Sequence, residues 1–378
     1  MMDWQAMGSE REQRIRQIMS GEARDVRAHL LRGVLRAVEP VYSLGARINH
    51  ALYNTGLKHS HRLPRPVISI GNITTGGTGK TPMVQWLARA LLIRGHHPAC
   101  LLRGYTVGSS SSSDEAALLA QSLKIPVRAN PNRVVAAQQL LAEHPEVDVI
   151  LLDDGFQHRR VKRDLNIVLI DATEPFGYGH VLPRGMLREP LRGLDRADVV
   201  ILTRSNLVEH QRVVEIMARV HSNNAHALII RANHRMKSII LGSECVEVET
   251  LRDKRIVSFC GIGNPAVFRN DLLRAGAIEA AHFAFPDHHD YSRVDVDLLL
   301  AAAKENAAEM LVTTEKDWVK VEPLAAEASI PIARAQVEME IAEADAQQLL
   351  ARIESIIPPS ASPRERLQGG EPGAGSGR

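Results

Sequence analysis

Cysteine is scarce: Cys100, Cys245 and Cys260 are scattered singly along 378 residues, with no C-x-x-C spacing. That excludes a disulfide framework and a zinc knuckle and fits a reducing, cytoplasmic compartment. Charge of one sign is lacking too, since 46 Lys and Arg oppose 44 Asp and Glu for a net +2. No nucleic-acid or other polyanion partner is demanded on that balance. No run approaches the ~18 apolar residues of a membrane span, and the N-terminal stretch is too charged for a signal-peptide core. The expectation is a chain that neither crosses a membrane nor is secreted by that route. Hydrophobic residues at 44% are ordinary globular usage. Global disorder is excluded, and the length accommodates one large or two ordinary domains.

Residues 1–23 are polar and mixed in charge, and read as a flexible extension. The following stretch is lopsided: Arg24, Arg27, Arg32, Arg36, Arg47, Lys58, Arg62 and Arg65 oppose only Asp25 and Glu39. Within it Leu30, Leu31, Val34, Leu35, Val38, Val41, Ile48 and Leu52 recur at helical spacing, with Pro40 expected to kink or restart the helix. A basic amphipathic helix over 24–61 either packs on its own domain or lies on an anionic membrane surface.

From Pro66 the pattern is strand then helix. Short apolar runs at Val67–Ile70, Ala99–Leu102, Val147–Leu152, Ile167–Ile170 and Val199–Leu202, with a helix-period segment at Met83–Ile93, predict an α/β fold. Its parallel sheet is covered by helices on both faces. A second series follows Arg255, with strands at Ile256–Phe259, Ala281–Phe285 and Met310–Val312 and helices from Pro265 and over Ile341–Ile356. The expected organisation is a P-loop domain over 62–230, linker strands over 231–255 and a smaller C-terminal α/β domain over 256–357, with a cleft between. A tail over 358–378, rich in Pro, Gly and Ser, is expected to be disordered.

Thr74-Thr75-Gly76-Gly77-Thr78-Gly79-Lys80-Thr81 lies between the first strand and the Met83 helix. This is a phosphate-binding loop in its expected context: glycines let N–H groups converge on a phosphate, Lys80 reaches the outer phosphates and Thr81 can ligate Mg²⁺. Thr74 stands where glycine is usual. A nucleotide site of this kind needs a carboxylate at a neighbouring strand end. Asp153 and Asp154 end the Val149–Leu152 run and either serve the metal or cap a turn, with Gln157 and His158 close behind. Asp114-Glu115, after the serines of Ser109–Ser113, reads on its own as a helix N-cap with first-turn acids. Phe285-Pro286-Asp287-His288-His289-Asp290-Tyr291 is either a polar surface loop or a metal-binding cluster. Gly261-Ile262-Gly263-Asn264-Pro265 is explained by Asn264 as N-cap and Pro265 at the first helical position.

Taken together and in order, the basic amphipathic start, Gly76–Pro82, Arg103-Gly104-Tyr105, Asp153–His158, Leu187-Arg188-Glu189-Pro190, Gly261–Pro265, Phe285–His289 and Thr314-Glu315-Lys316-Asp317 resemble the tetraacyldisaccharide 4′-kinase family over about residues 20–357. The resemblance implies transfer of the ATP γ-phosphate to the 4′-hydroxyl of an acylated glucosamine disaccharide 1-phosphate in lipid A biosynthesis. It implies ATP and Mg²⁺ as cofactors and a peripheral place at the cytoplasmic face of the inner membrane, against its anionic surface, with no obligate protein partner. It assigns Lys80 and Thr81 to phosphate and metal, Asp153, Asp154 and Glu189 to the metal-binding and catalytic shell, and Gln157 and His158 to the vicinity of the reacting groups. Asp114 aligns with the family's base, Glu115 with its acidic neighbour and His288 with the base's partner. The competing reading is a P-loop switch or metallochaperone-like NTPase acting on a protein.

Overall fold

The computed structural model describes residues 14–104, 119, 123–287, 289–325 and 328–357. A helical segment at 14–20 precedes α1, Val26–Asn54, whose N-cap Asp25 accepts a hydrogen bond from Ala28 N. Residues 14–20 fall in the expected flexible extension, yet they are helical, and Ile18 and Ala23 are buried beside Ala28. α1 runs unbroken through Pro40, where a kink or restart was the expectation. The reason is exposure: Arg36 and Pro40 both face solvent, so water can take the carbonyl that proline leaves without its i+4 donor.

The expected strand–helix series follows as β1 (Val67–Asn72), α2 (Lys80–Ile93), β2 (Pro98–Leu102), β3 (Val127–Ala129), α3 (Arg133–Glu143), β4 (Val149–Asp153), β5 (Leu165–Asp171), β6 (Val199–Thr203) and α4 (His210–Asn223). The linker strands are β7 (Leu228–Leu241) and β8 (Glu244–Glu247). The second series is β9 (Arg255–Cys260), α5 (Pro265–Arg274), β10 (Ile278–Ala284), α6 (Arg293–Glu305), β11 (Met310–Thr314), α7 (Glu315–Val321), β12 (Ile332–Ile341) and α8 (Glu343–Glu354).

All belong to one 12-stranded sheet, β10-β9-β11-β12-β7-β6-β5-β1-β4-β2-β3, with β8 attached to β7. Along that order each half is parallel within itself and polarity reverses where β12 meets β7, while the attached β8 also runs antiparallel to β7. β7 pairs with β6 over Leu228–Ala232 and with β12 as far as Leu241, whereas β11 pairs with the other end of β12, Ile332–Ala335. The β7/β12 ribbon therefore carries the halves at opposite ends. Their carboxyl strand edges, where α/β sheets bind ligands, face each other across its middle.

Both faces of the first half are covered. Ile68, Ile70, Met83, Leu87 and Leu91 form one core, and Ile73, Phe156, Val168, Val200, Val213 and Ile216 form another. Burying each such side chain contributes about 1.5–3 kcal/mol. The last helix departs from the expected C-terminal domain: Leu349, Leu350 and Ile353 of α8 join Met83 and Leu87 in the first half's core. The β7/β12 crossing carries the chain back there.

Candidate active site

The loop after β1 is gripped by side chains from the strands around it. Asn72 Nδ2 donates to Thr78 Oγ1 at 3.1 Å, Thr203 Oγ1 to the Thr78 carbonyl at 3.0 Å, and Arg204 Nη1 to the Gly77 carbonyl at 2.9 Å. Thr75 N donates to the Met186 carbonyl at 2.8 Å. α2 starts at once from Gly79 with no side-chain cap, so its first-turn N–H groups and the positive end of its dipole are offered to an anion. Gly79 has φ +92°, and a Cβ there would stand 2.2 Å from Nε2 of His234 on β7. A larger residue would have to displace the His234 ring and bear the left-handed backbone.

Lys80 Nζ lies 3.7 Å from Asp154 Oδ1, and Arg188 Nη1 donates to both Asp154 oxygens at 2.7 and 3.0 Å. Burial alone would raise the Asp154 pKa, but Lys80 and Arg188 outweigh it and hold the carboxylate below its ordinary value. Asp154 has φ 49°, a left-handed conformation that aspartate tolerates better than most residues. It follows Asp153, whose Oδ1 accepts from Asp154 N at 2.8 Å and whose carbonyl accepts from Arg133 at 2.9 Å.

These groups open into a cavity of about 590 Å³ lined from both halves of the sheet. Thr74, Thr75, Gly76, Gly77, Thr78, Gly79, Lys80, Thr81, Asp153 and Asp154 all line it, facing Ile262, Gly263, Asn264, Asp287, Thr314, Glu315 and Lys316. Gln157, His158 and Glu189 are not brought to its wall. Gln157 Nε2 donates to the Asn72 carbonyl at 2.8 Å and to Glu189 Oε1 at 2.9 Å, and Arg196 Nη2 donates to Glu189 Oε2 at 2.7 Å. Glu189 thus has both oxygens engaged by protein donors. His158 is held to a pKa of about 4 by burial and then by Arg133 and Arg163, so it is neutral at pH 7. Asp114, Glu115 and His288 lie outside the described residues.

The cavity also contains groups given no role from the sequence. Arg188 is adjacent to Glu189 in an already noted motif. Arg204 directly follows β6 and pairs with Asp171, and strand-end position alone could have pointed to it. His234 sits within a long strand that carries no local signal. The Gly261–Pro265 segment does cap α5 as expected, without a side-chain hydrogen bond from Asn264, but it also walls the cavity.

A glycine loop between strand and helix, its lysine facing the aspartates of an adjacent parallel strand, defines an α/β P-loop protein built to hold a nucleoside polyphosphate. The family description "LpxK: Tetraacyldisaccharide-1-P 4′-kinase" matches residues 31–355. The chain belongs to the tetraacyldisaccharide 4′-kinase family. The tetraacyldisaccharide 4′-kinase of Syntrophus aciditrophicus is 39% identical over 329 residues, covering 79% of this chain and 87% of its own. That of Halothermothrix orenii is 35% identical over 318 residues, covering 76% and 82%. Among solved structures, LpxK from Aquifex aeolicus in complex with ATP superposes with a TM-score of 0.67 at 28% identity, covering 85% of this chain and 99% of that one.

Proposed function

We propose that this chain transfers the γ-phosphate of ATP to the 4′-hydroxyl of a tetraacylated glucosamine disaccharide 1-phosphate at an anionic membrane surface. The carrying observation is the Lys80–Asp154–Arg188 cluster, set at the mouth of α2 in a cavity that both halves of the sheet line. The loop N–H groups and Lys80 bind the phosphates and neutralise charge that grows on the transferring group and on departing ADP. The acceptor oxygen bonds to the γ-phosphorus, the bond to the β,γ-bridging oxygen breaks, and the hydroxyl proton passes to Asp114, which His288 orients. Such a base contributes about 10²–10⁴ in rate.

Mg²⁺ fits the donor set. Thr81, Asp153 and Asp154 offer only oxygen to the cavity, and among the described residues no group of three or more His, Cys, Asp and Glu is assembled for a metal. Mg²⁺ suits such a place because it keeps waters and phosphate oxygens rather than an all-protein cage. Bound there, it would supply charge neutralisation across the β- and γ-phosphates. Glu189, engaged by Gln157 and Arg196, supports this shell from behind.

No described helix is long and apolar enough to cross a membrane. α1 nevertheless exposes Val26, Leu30, Val34, Val38, Val41 and Ile48. With its arginines this face suits the surface where an acyl-chain acceptor resides.

The test is transfer of labelled γ-phosphate from Mg·ATP to tetraacyldisaccharide 1-phosphate in mixed micelles, beside Lys80→Ala. Labelled lipid from the wild type, reduced at least about 100-fold in the variant, is expected. ATP hydrolysis without labelled lipid would overturn the reading in favour of a partner-regulated NTPase.

A further inference from the structure

The inner face of α1 is tied to the catalytic segments by polar contacts. Glu39 accepts from Val181 N at 2.9 Å, and Arg159 donates to the His50 carbonyl at 3.1 Å and to Asn54 Oδ1 at 2.7 Å. The His50 ring continues inward. Its Nδ1 lies 3.1 Å from Arg196 Nη1 and its Nε2 lies 3.3 Å from Glu189 Oε2. A guanidinium only donates, so Nδ1 is the acceptor and the ring proton sits on Nε2, directed at Glu189. Glu189 is only 1% exposed, and a Cβ on Gly193 would approach its Oε2 to 2.3 Å. The carboxylate has no room to rearrange. From Glu189 the contacts run to Gln157 at 2.9 Å, from Gln157 Oε1 to Arg188 at 3.5 Å, and from Arg188 to Asp154 at 2.7 Å, beside Lys80.

We infer that His50 is a positioning residue for phosphoryl transfer: through Glu189, Gln157 and Arg188 it fixes Asp154 beside Lys80, joining the helix with the exposed apolar face to the lysine that meets the nucleotide. The inference rests on the phosphotransfer function proposed above. His50 does not line the cavity. Its effect is on the geometry of the charges that do, so its loss is felt in turnover rather than in lipid binding.

The experiment uses the full chain, Mg·ATP and tetraacyldisaccharide 1-phosphate in anionic vesicles, with His50→Ala, Arg188→Ala and the double variant. His50→Ala is expected to lower kcat about tenfold while vesicle partitioning stays within twofold. His50→Gln, which keeps a donor and an acceptor, is expected to recover most of the rate. The double variant is expected to lose no more than Arg188→Ala alone, because both changes break one relay; separate structural defects at non-touching sites multiply instead. If His50→Ala does not fold, His50→Leu, which fills the space without either hydrogen bond, carries the same readings. An unchanged kcat, a multiplied loss in the double variant, or a loss that disappears at equal vesicle-bound fraction overturns the inference. Absence of transfer by the wild type would instead refute the phosphotransfer function.

Discussion

Gly79 and His234 illustrate how single side chains constrain the site. At φ +92°, with His234 Nε2 2.2 Å from where a Cβ would lie, Gly79→Ala suffers both backbone strain and collision. Left-handed strain of about 1–3 kcal/mol weakens nucleotide binding roughly 5- to 150-fold, which calorimetric titration with ATP measures. His234→Ala on that background is expected to relieve only the collision and to leave part of the loss. The imidazoles make a separate prediction. Burial holds His158 to a pKa of about 4 and His234 to about 3, against an ordinary 6.5. The folded state therefore keeps these rings neutral while the unfolded chain takes up protons as pH falls below about 6.5, so stability declines on acidification through that window. Asp154, held below its ordinary value, adds a loss of the same sign at lower pH. His158→Gln is expected to flatten the decline between pH 6.5 and 4 in urea unfolding; an unchanged slope would contradict the buried, neutral ring. Lys80, Thr81, Asp153 and Asp154 were legible from sequence because loop and strand-end chemistry is local. His234 was not, since its part depends on a strand that meets the loop only after folding, whereas the strand-end position of Arg204 offered a signal.

The same contrast holds for elements. β1 and α2 could be read because an apolar run, glycines and a helix-period segment follow one another. β12 does carry a strand signal, since Ala333, Ala335, Val337, Met339 and Ile341 alternate with Arg334, Gln336, Glu338 and Glu340, but its pairing with β7 is fixed by chain remote in sequence. α1 was legible as an amphipathic helix, and its two faces now separate. Glu39 and His50 reach inward, whereas Val34 and Val41 are 59% and 71% exposed. They lie seven residues apart, two turns along one side. Val34→Glu combined with Val41→Glu should lower partitioning onto anionic vesicles about tenfold or more, since each change removes apolar area and adds a repelled charge. Unfolding stability should stay within about 0.5 kcal/mol for each exposed change. Sedimentation with vesicles and thermal unfolding monitored by circular dichroism separate the two. Unchanged partitioning would mean that this face does not meet lipid.

For the whole molecule, the reversal of polarity between β12 and β7 is what two separate βα series in the sequence could not disclose. One sheet continues through both halves and turns their ligand-binding edges toward each other across the cavity that both line. The Asp114 segment follows β2 in the first half, and the His288 segment follows β10 in the second. β2 and β10 end at the facing edges, and Asp114 and His288, which follow them in sequence, lie outside the described residues. If Asp114 is the base and His288 orients it, Asp114→Ala should lower kcat by about 10²–10⁴ with ATP affinity within threefold, because the phosphate contacts of Lys80 and the loop remain. His288→Ala should lower kcat less, and in the double variant it should add almost nothing, since a histidine that acts only through Asp114 has nothing left to orient. Steady-state kinetics at saturating ATP and acceptor make this comparison. Multiplied losses would separate the two residues and assign His288 a task of its own at the acceptor, while equal kcat in Asp114→Ala and wild type would require the proton to leave by another group on the cavity wall.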